Sequence, residues 1–143
     1  MQLRKAESRY HLTTQHYAQL AAWRRALRTF LRFSERAAAA VGLGAQQYQA
    51  MLVVRGWGAG RPVTIGDLAE ELFIKHNSAV GLVNRLVQQR FMSRAVSSAD
   101  RRKVELALTP RGRTVLATLA VLHRRELQRL EPVFRRFLEK IAL

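Results

Sequence analysis

Asp100-Arg101-Arg102-Lys103 gathers one carboxylate and three cations into four residues. Guanidinium groups offer planar, paired N–H donors that suit phosphates and base edges. Arg is also drawn into narrow A·T-rich minor grooves, and Arg101 and Arg102 both sit where they could enter one. A carboxylate in such a cluster repels phosphate. Asp100 therefore has one of two uses: it aims an Arg side chain, or it shapes the turn. A second set of residues lies upstream. At 100° per residue, Asn77, Val80, Gly81, Asn84 and Gln88 fall on one side of a helix. Ala79, Leu82, Val83, Leu86 and Arg90 fall on the other. Asn and Gln pair with adenine through two hydrogen bonds, Val80 suits a thymine methyl, and Gly81 admits close backbone approach. Lys75, His76 and Ser78 stand at the helix start, where free N–H groups favour a phosphate. Arg85 is a phosphate clamp or an internal ion-pair partner, and Arg94 and Lys103 add backbone contacts. Taken alone, the polar side is an ordinary solvated helix face. The basic cluster and the net charge tip the balance towards DNA.

That charge is +15, from 25 Lys and Arg against 10 Asp and Glu, over 143 residues. It implies a polyanionic partner, most simply nucleic acid. A merely basic soluble protein or a membrane-surface binder is the alternative on charge alone. The chain has no Cys, which excludes disulfides, thiolate zinc sites, Cys nucleophiles and Cys redox sensing. His11 and His16 are five apart, and His76 and His123 are scattered, so no metal site is expected. No Ser/His/Asp set, carboxylate pair or phosphate loop points to an enzyme, and no cofactor is expected. No leader-like or membrane-spanning run is visible, so a cytoplasmic protein with no membrane partner is the expectation.

The elements that must hold these groups are read from period and punctuation. Residues 1–13 read as a loose arm or the first turns of a helix. Thr14–Val41 lacks Pro and Gly and is rich in helix formers, and Gly42-Leu43-Gly44 ends it. Ala45–Trp57 is a second helix, closed by Gly58-Ala59-Gly60 and Pro62. Thr64-x-x-Asp67 has the form of a capping box before a short amphipathic helix with Ile65, Leu68, Ala69 and Leu72. Phe73-Ile74-Lys75 turns into a helix from His76 to about Gln89, which completes a helix-turn-helix pattern. Phe91–Val96 and Lys103–Leu108 read as strands, with Val104, Leu106 and Leu108 alternating on one face. Thr109 suits an N-cap and Pro110 the first helical position. This helix should run to about Leu130, with Glu131-Pro132 starting a last one. The long outer helices carry more apolar surface than the small middle unit can cover. A homodimer is the natural solution, and a monomer that folds its termini back is the alternative.

In this order the pieces resemble the MarR family of winged-helix regulators, over residues 14–143. The match is carried by Gln46-Gln47-Tyr48 through Val54, and by Val63–Leu72 followed by Asn77-Ser78 and Val83-Asn84-Arg85-Leu86. It is completed by Asp100-Arg101-Arg102 with Leu106-Ala107-Leu108-Thr109 and Gly112. The chain departs from the family at Arg90-Phe91, where Gly-Leu is usual, and at Gly44, where a Ser or Thr cap is common. The resemblance implies an α+β, mostly helical fold: a winged helix-turn-helix with long N- and C-terminal dimerisation helices. It places the DNA-binding lobe at 45–109, between dimerisation regions at 1–44 and 110–143, in one structural domain. It assigns Arg102 the minor groove and Asp100 the task of aiming it. The implied function is a homodimeric regulator, in most members a repressor, on a pseudo-palindromic double-stranded DNA operator. The other reading is a non-specific or architectural nucleic-acid binder. Family members often sense small aromatic or phenolic anions. Here Tyr48, Met51 and Arg55 share a face of the second helix, with Trp23, Trp57 and His11 as further candidates. The alternative for these six is core and interface.

Overall fold

The computed structural model describes residues 11–57 and 60–141. The expected N-terminal arm therefore lies almost wholly outside the described residues, as do Gly58 and Ala59. The elements run α1 (Thr14–Ala39), α2 (Ala45–Gly56), β1 (Val63–Thr64), α3 (Ile65–Glu71), α4 (His76–Gln88), β2 (Met92–Val96), β3 (Val104–Leu108) and α5 (Pro110–Lys140). The fold is the expected mostly helical α+β winged helix-turn-helix. The chain forms two compact units. Glu35–Leu122 is one, and the described residues up to Ser34 with those from His123 onward are the other.

In the Glu35–Leu122 unit the apolar spacing of α3 and α4 does what the sequence predicts. Leu68, Leu82, Val83 and Leu86 are buried with Met51, Leu106, Leu108 and Leu119 in one cluster. The sheet has three antiparallel strands, not two, in the order β1-β3-β2. The added strand is the two-residue β1, with Val63 opposite Leu106 and Thr64 opposite Glu105. Two residues carry no period, and their pairing with β3 is non-local, so the sequence shows only the capping box. That box is present: Asp67 N–H donates to Thr64 Oγ1 at 3.1 Å, and Thr64 N–H donates to Asp67 Oδ2 at 2.9 Å. Arg61 donates to the same carboxylate at 2.8 Å and stands 4.8 Å over the Trp57 ring. Led by the Arg61 bond and helped by the Thr64 bonds, these contacts lower the Asp67 pKa to about 2.

Helices α1, α3 and α4 end in left-handed residues whose N–H groups fold back on the last turn. Gly42 (φ 78°) ends α1 with glycine's freedom. Phe73 (φ 52°) and Arg90 (φ 61°) end α3 and α4 without it, at a cost of about 1 kcal/mol each. Arg90 thus takes the left-handed conformation that replacing the usual Gly demands. Gly44 begins α2 without a side-chain cap. Its N–H donates instead to Gln47 Oε1 at 2.8 Å. Gln47 Nε2 donates to Gln89 Oε1 at 2.8 Å, and Gln89 Nε2 donates to the Gly42 carbonyl at 3.0 Å. Two glutamines thereby tie the α1–α2 turn to the end of α4.

The second unit pairs the first part of α1 with the last part of α5. One expectation fails here: Pro132 starts no new helix, because α5 runs unbroken from Pro110 to Lys140. Proline removes one N–H and crowds the carbonyl four residues back, and side-chain packing offsets that loss. The Trp23 ring lies edge-on to Phe134 at 4.9 Å and stacked on Phe137 at 4.7 Å. An ion pair from Glu131 to Arg135 spans the proline. His123 is buried, with Nε2 2.9 Å from Ser34 Oγ and the edges of Phe30 and Phe33 around it.

Candidate nucleic-acid interface

Strands β2 and β3 form a hairpin from Met92 opposite Leu108 to Val96 opposite Val104. Its tip is the Ser97–Lys103 turn. Ser97 N–H donates to the Lys103 carbonyl, and Lys103 N–H to the Asp100 carbonyl, both at 2.9 Å. Ser97 Oγ accepts from the N–H groups of Ala99 and Asp100. Asp100 takes two hydrogen bonds from Arg102. Its Oδ1 accepts the Arg102 backbone N–H at 3.0 Å, closing the turn, and Arg102 Nε at 3.3 Å, aiming the guanidinium. Those two bonds, the backbone one first, hold the Asp100 carboxyl below its usual pKa. The Arg102 side chain is 92% exposed, with both terminal nitrogens free of the carboxylate contact. Arg101 and Lys103 are exposed beside it.

Helix α4 buries Ala79, Leu82, Val83 and Leu86 and leaves Asn77, Asn84, Arg85 and Gln88 exposed, with Val80 and Gly81 partly covered. Lys75 is its N-cap, in extended conformation, and makes no side-chain cap bond. His76, Asn77 and Ser78 follow, all exposed. The first-turn N–H groups therefore meet no cap side chain and lie beside cationic or polar groups. One contact was not foreseen. Arg94, on β2, donates from Nη1 to Asn84 Oδ1 on α4. The side chains are ten residues apart in sequence, and only the hairpin's return past α4 brings them together.

The hairpin is bolted to the start of α5. Thr109 Oγ1 donates to the Arg90 carbonyl at 2.6 Å and accepts from Gly112 N–H at 3.0 Å, and Thr109 N–H donates to the Phe91 carbonyl at 3.1 Å. Thr109 is thus the predicted N-cap and a clamp on the left-handed Arg90 as well. Gly112 is packed against the same backbone. A Cβ there would sit 2.0 Å from the Phe91 carbonyl oxygen, far inside contact distance. Arg111 covers the Phe91 ring at 4.9 Å.

Helix-turn-helix, hairpin and basic tip lie in one stretch of chain, and the family model for the MarR family matches residues 41–103 of it. Over this stretch the chain is similar to the MarR family. No curated protein sequence matches it. Solved structures share the fold. The MarR family regulator AbsC from Streptomyces coelicolor matches with a TM-score of 0.71 at 19% identity, over 82% of this chain and 79% of that one. The DNA complex of MepR from Staphylococcus aureus matches with a TM-score of 0.68 at 15% identity, over 85% and 84%. BpsR of Bordetella bronchiseptica, whose DNA binding is regulated by 6-hydroxynicotinic acid, matches with a TM-score of 0.63 at 21% identity, over 85% and 96%.

The six residues that the MarR resemblance offered for an effector fall in different surroundings. Tyr48 and Met51 are buried in the core of the Glu35–Leu122 unit, and burial pushes the Tyr48 hydroxyl pKa up. Arg55 and Arg113 line a cavity of about 190 Å³ walled by Leu52, Leu116, Ala117 and Ala120. Trp57 carries Arg61 on its face, and His11 is exposed. Trp23 borders a cavity of about 280 Å³ with Phe137, Arg136 and Lys140. Among the described residues, no helix is long and apolar enough to cross a membrane.

Proposed function

We propose that the protein is a sequence-specific DNA-binding transcription regulator, acting as a homodimer and repressing from a pseudo-palindromic operator. The observation that carries this reading is the wing tip, where Asp100 presents an exposed Arg102 from a hairpin beside the polar face of α4. Arg102 enters the minor groove, where a narrow A·T-rich stretch concentrates negative potential. Its guanidinium arrives partly ordered by Asp100, which lowers the entropy lost on binding. Asn77, Val80, Gly81, Asn84 and Gln88 face the major groove. Lys75, His76 and Ser78 at the head of α4, with Arg85, Arg101 and Lys103, engage phosphates. Two copies present two such sets, which sets half-sites about one helical turn apart.

Binding an effector belongs to the same reading. A small aromatic or phenolic anion suits a cleft with arginines over an apolar wall, and the Arg55–Arg113 cavity is of that kind. The related BpsR responds to an aromatic acid of this class.

Selection of bound sequences from random duplex DNA tests the proposal. The expected result is an enriched inverted repeat that still binds in excess random DNA at moderate salt. Enrichment of nothing, with binding lost to random competitor, would establish the architectural alternative.

A further inference from the structure

We infer that four arginines of α1, Arg24, Arg25, Arg28 and Arg32, form a second DNA-backbone surface that holds duplex phosphates without regard to sequence. The function proposed above uses α4 and the wing, and this surface lies elsewhere in the chain. The choice of DNA as the anion rests on that reading.

The charge of the chain is not concentrated in the unit that carries the wing. Glu35–Leu122 holds 12 Lys and Arg against 6 Asp and Glu, which is +6 of the total +15. The larger share belongs to the rest of the chain. There, residues 11–34 contain these four Arg and not one Asp or Glu. All four are exposed, and among the described residues none has an ion-pair partner. On a helix they share one face about 100° wide. Trp23, Ala26, Phe30 and Ser34 lie on the opposite side and are at least partly covered.

Arg24 and Arg28, and Arg28 and Arg32, are each four residues apart, so like charges stand beside one another and repel. No neighbouring carboxylate offsets this, whereas a polyanion would. Guanidinium forks match phosphate oxygens in pairs. The row is about 12 Å long. Laid along a duplex it covers about three phosphates of one strand, at about 3.4 Å of axis each. A second copy of the chain is a poor occupant. Glu126 and Glu131 of the same unit are already paired with Arg129 and Arg135, and the copy's own arginine row would repel this one. A membrane surface would draw on Trp23, which is instead packed against Phe134 and Phe137.

The test is the affinity of the full chain for a random-sequence duplex of several helical turns, titrated across salt. Replacing all four arginines by Gln keeps a polar helix former at each position. It should weaken binding at least about tenfold at low salt and make the salt slope shallower by about two to three. Lys at the same four positions keeps the charge and should keep the slope. Arg28→Gln alone should lower the slope by about one, and it carries the test if thermal melting shows that the fourfold Gln variant is unfolded. The phosphates can come from the flanks of a bound duplex or from a second duplex. Flanks are the source if the Gln effect vanishes on a duplex trimmed to the selected site. A second duplex is the source if the unchanged chain, saturated with unlabelled selected DNA, still captures labelled random DNA and the Gln variant does not. Equal affinity and slope in the unchanged chain and the folded Gln variants overturn the inference. So does a Gln effect confined to vesicles of anionic phospholipid, which would make the row a membrane contact. Selection that enriches no sequence removes the operator reading, while the slope on random duplex judges the arginine row separately.

Discussion

The two compact units treat apolar side chains in opposite ways. In Glu35–Leu122, Met51, Leu68, Leu82, Leu86 and Leu119 are sealed from water within one chain. In the unit made from the ends of the chain, Leu20, Leu31, Leu127 and Leu138 are each about half exposed on long helices, whereas Ala26 and Leu130 are among the few apolar residues buried there. Exposed apolar area that a chain does not close over is closed by a partner. The difference teaches where each task resides. The first unit completes its own core and so holds the wing and α4 in fixed geometry. The second leaves apolar side chains open to water, the surface that the proposed homodimer would cover.

The sharpest way to break that division is at Gly112. Gly112→Ala puts a methyl group into the Phe91 carbonyl, so α5 must lift from the hairpin. A loss of about 3 kcal/mol or more in denaturant unfolding is expected. Ordinary stability in this variant would mean that the joint is looser than described. Arg102→Ala leaves both units folded and should weaken operator binding by about 10- to 100-fold, with the salt slope falling by about one. Titration across salt concentrations measures both, and unchanged affinity removes the wing from the interface. Leu31→Asp probes the other unit. It should raise the dimer dissociation constant by at least about tenfold in sedimentation equilibrium, since a carboxylate cannot be covered without a partner. A wholly monomeric unchanged chain would end the comparison as drawn.

Smaller effects probe the first unit's local order. The Asp67 pKa is depressed in the folded state, so its stabilisation is present above the unfolded value near 4. It is lost as pH falls through about 2. Its side chain is largely covered but Arg61 is half exposed, so about 1–2 kcal/mol is expected. Asp67→Asn should flatten the stability–pH curve between about pH 5 and 2. The smallest expected change is a gain. Phe73 is left-handed and 96% exposed, so Phe73→Gly should raise stability by about 1 kcal/mol in the same unfolding assay. A loss there would show that the ring makes a contact in the folded protein.

What the sequence reveals and hides follows from the range of each interaction. The Thr64–Asp67 box, the alternation of Val104, Leu106 and Leu108, the Thr109 cap and the Asp100–Arg102 pairing involve neighbours a few residues apart, so residue type and spacing suffice to find them. The Gln47–Gln89 bond spans 42 residues. β1 depends on β3, and Arg94 meets Asn84 only after the hairpin folds back. No local pattern announces these. Pro132 misled because a local rule was outweighed by Trp23, a residue far away in sequence. Gly112 was visible as part of a motif, but its reason, a carbonyl from another turn, was not. The turn at Phe73 was legible as a turn and its handedness was not, because glycine is the usual sign of it.

A single residue, Thr109, separates the last strand from the longest helix. It is clamped to the Arg90 and Phe91 carbonyls, while Gly112 rests on the latter with no space to spare. Mechanically this is a joint without slack. A flexible loop at this point would absorb a twist of α5. Here the root of the hairpin and the first turn of α5 are held to the same two carbonyls, with no loop between them.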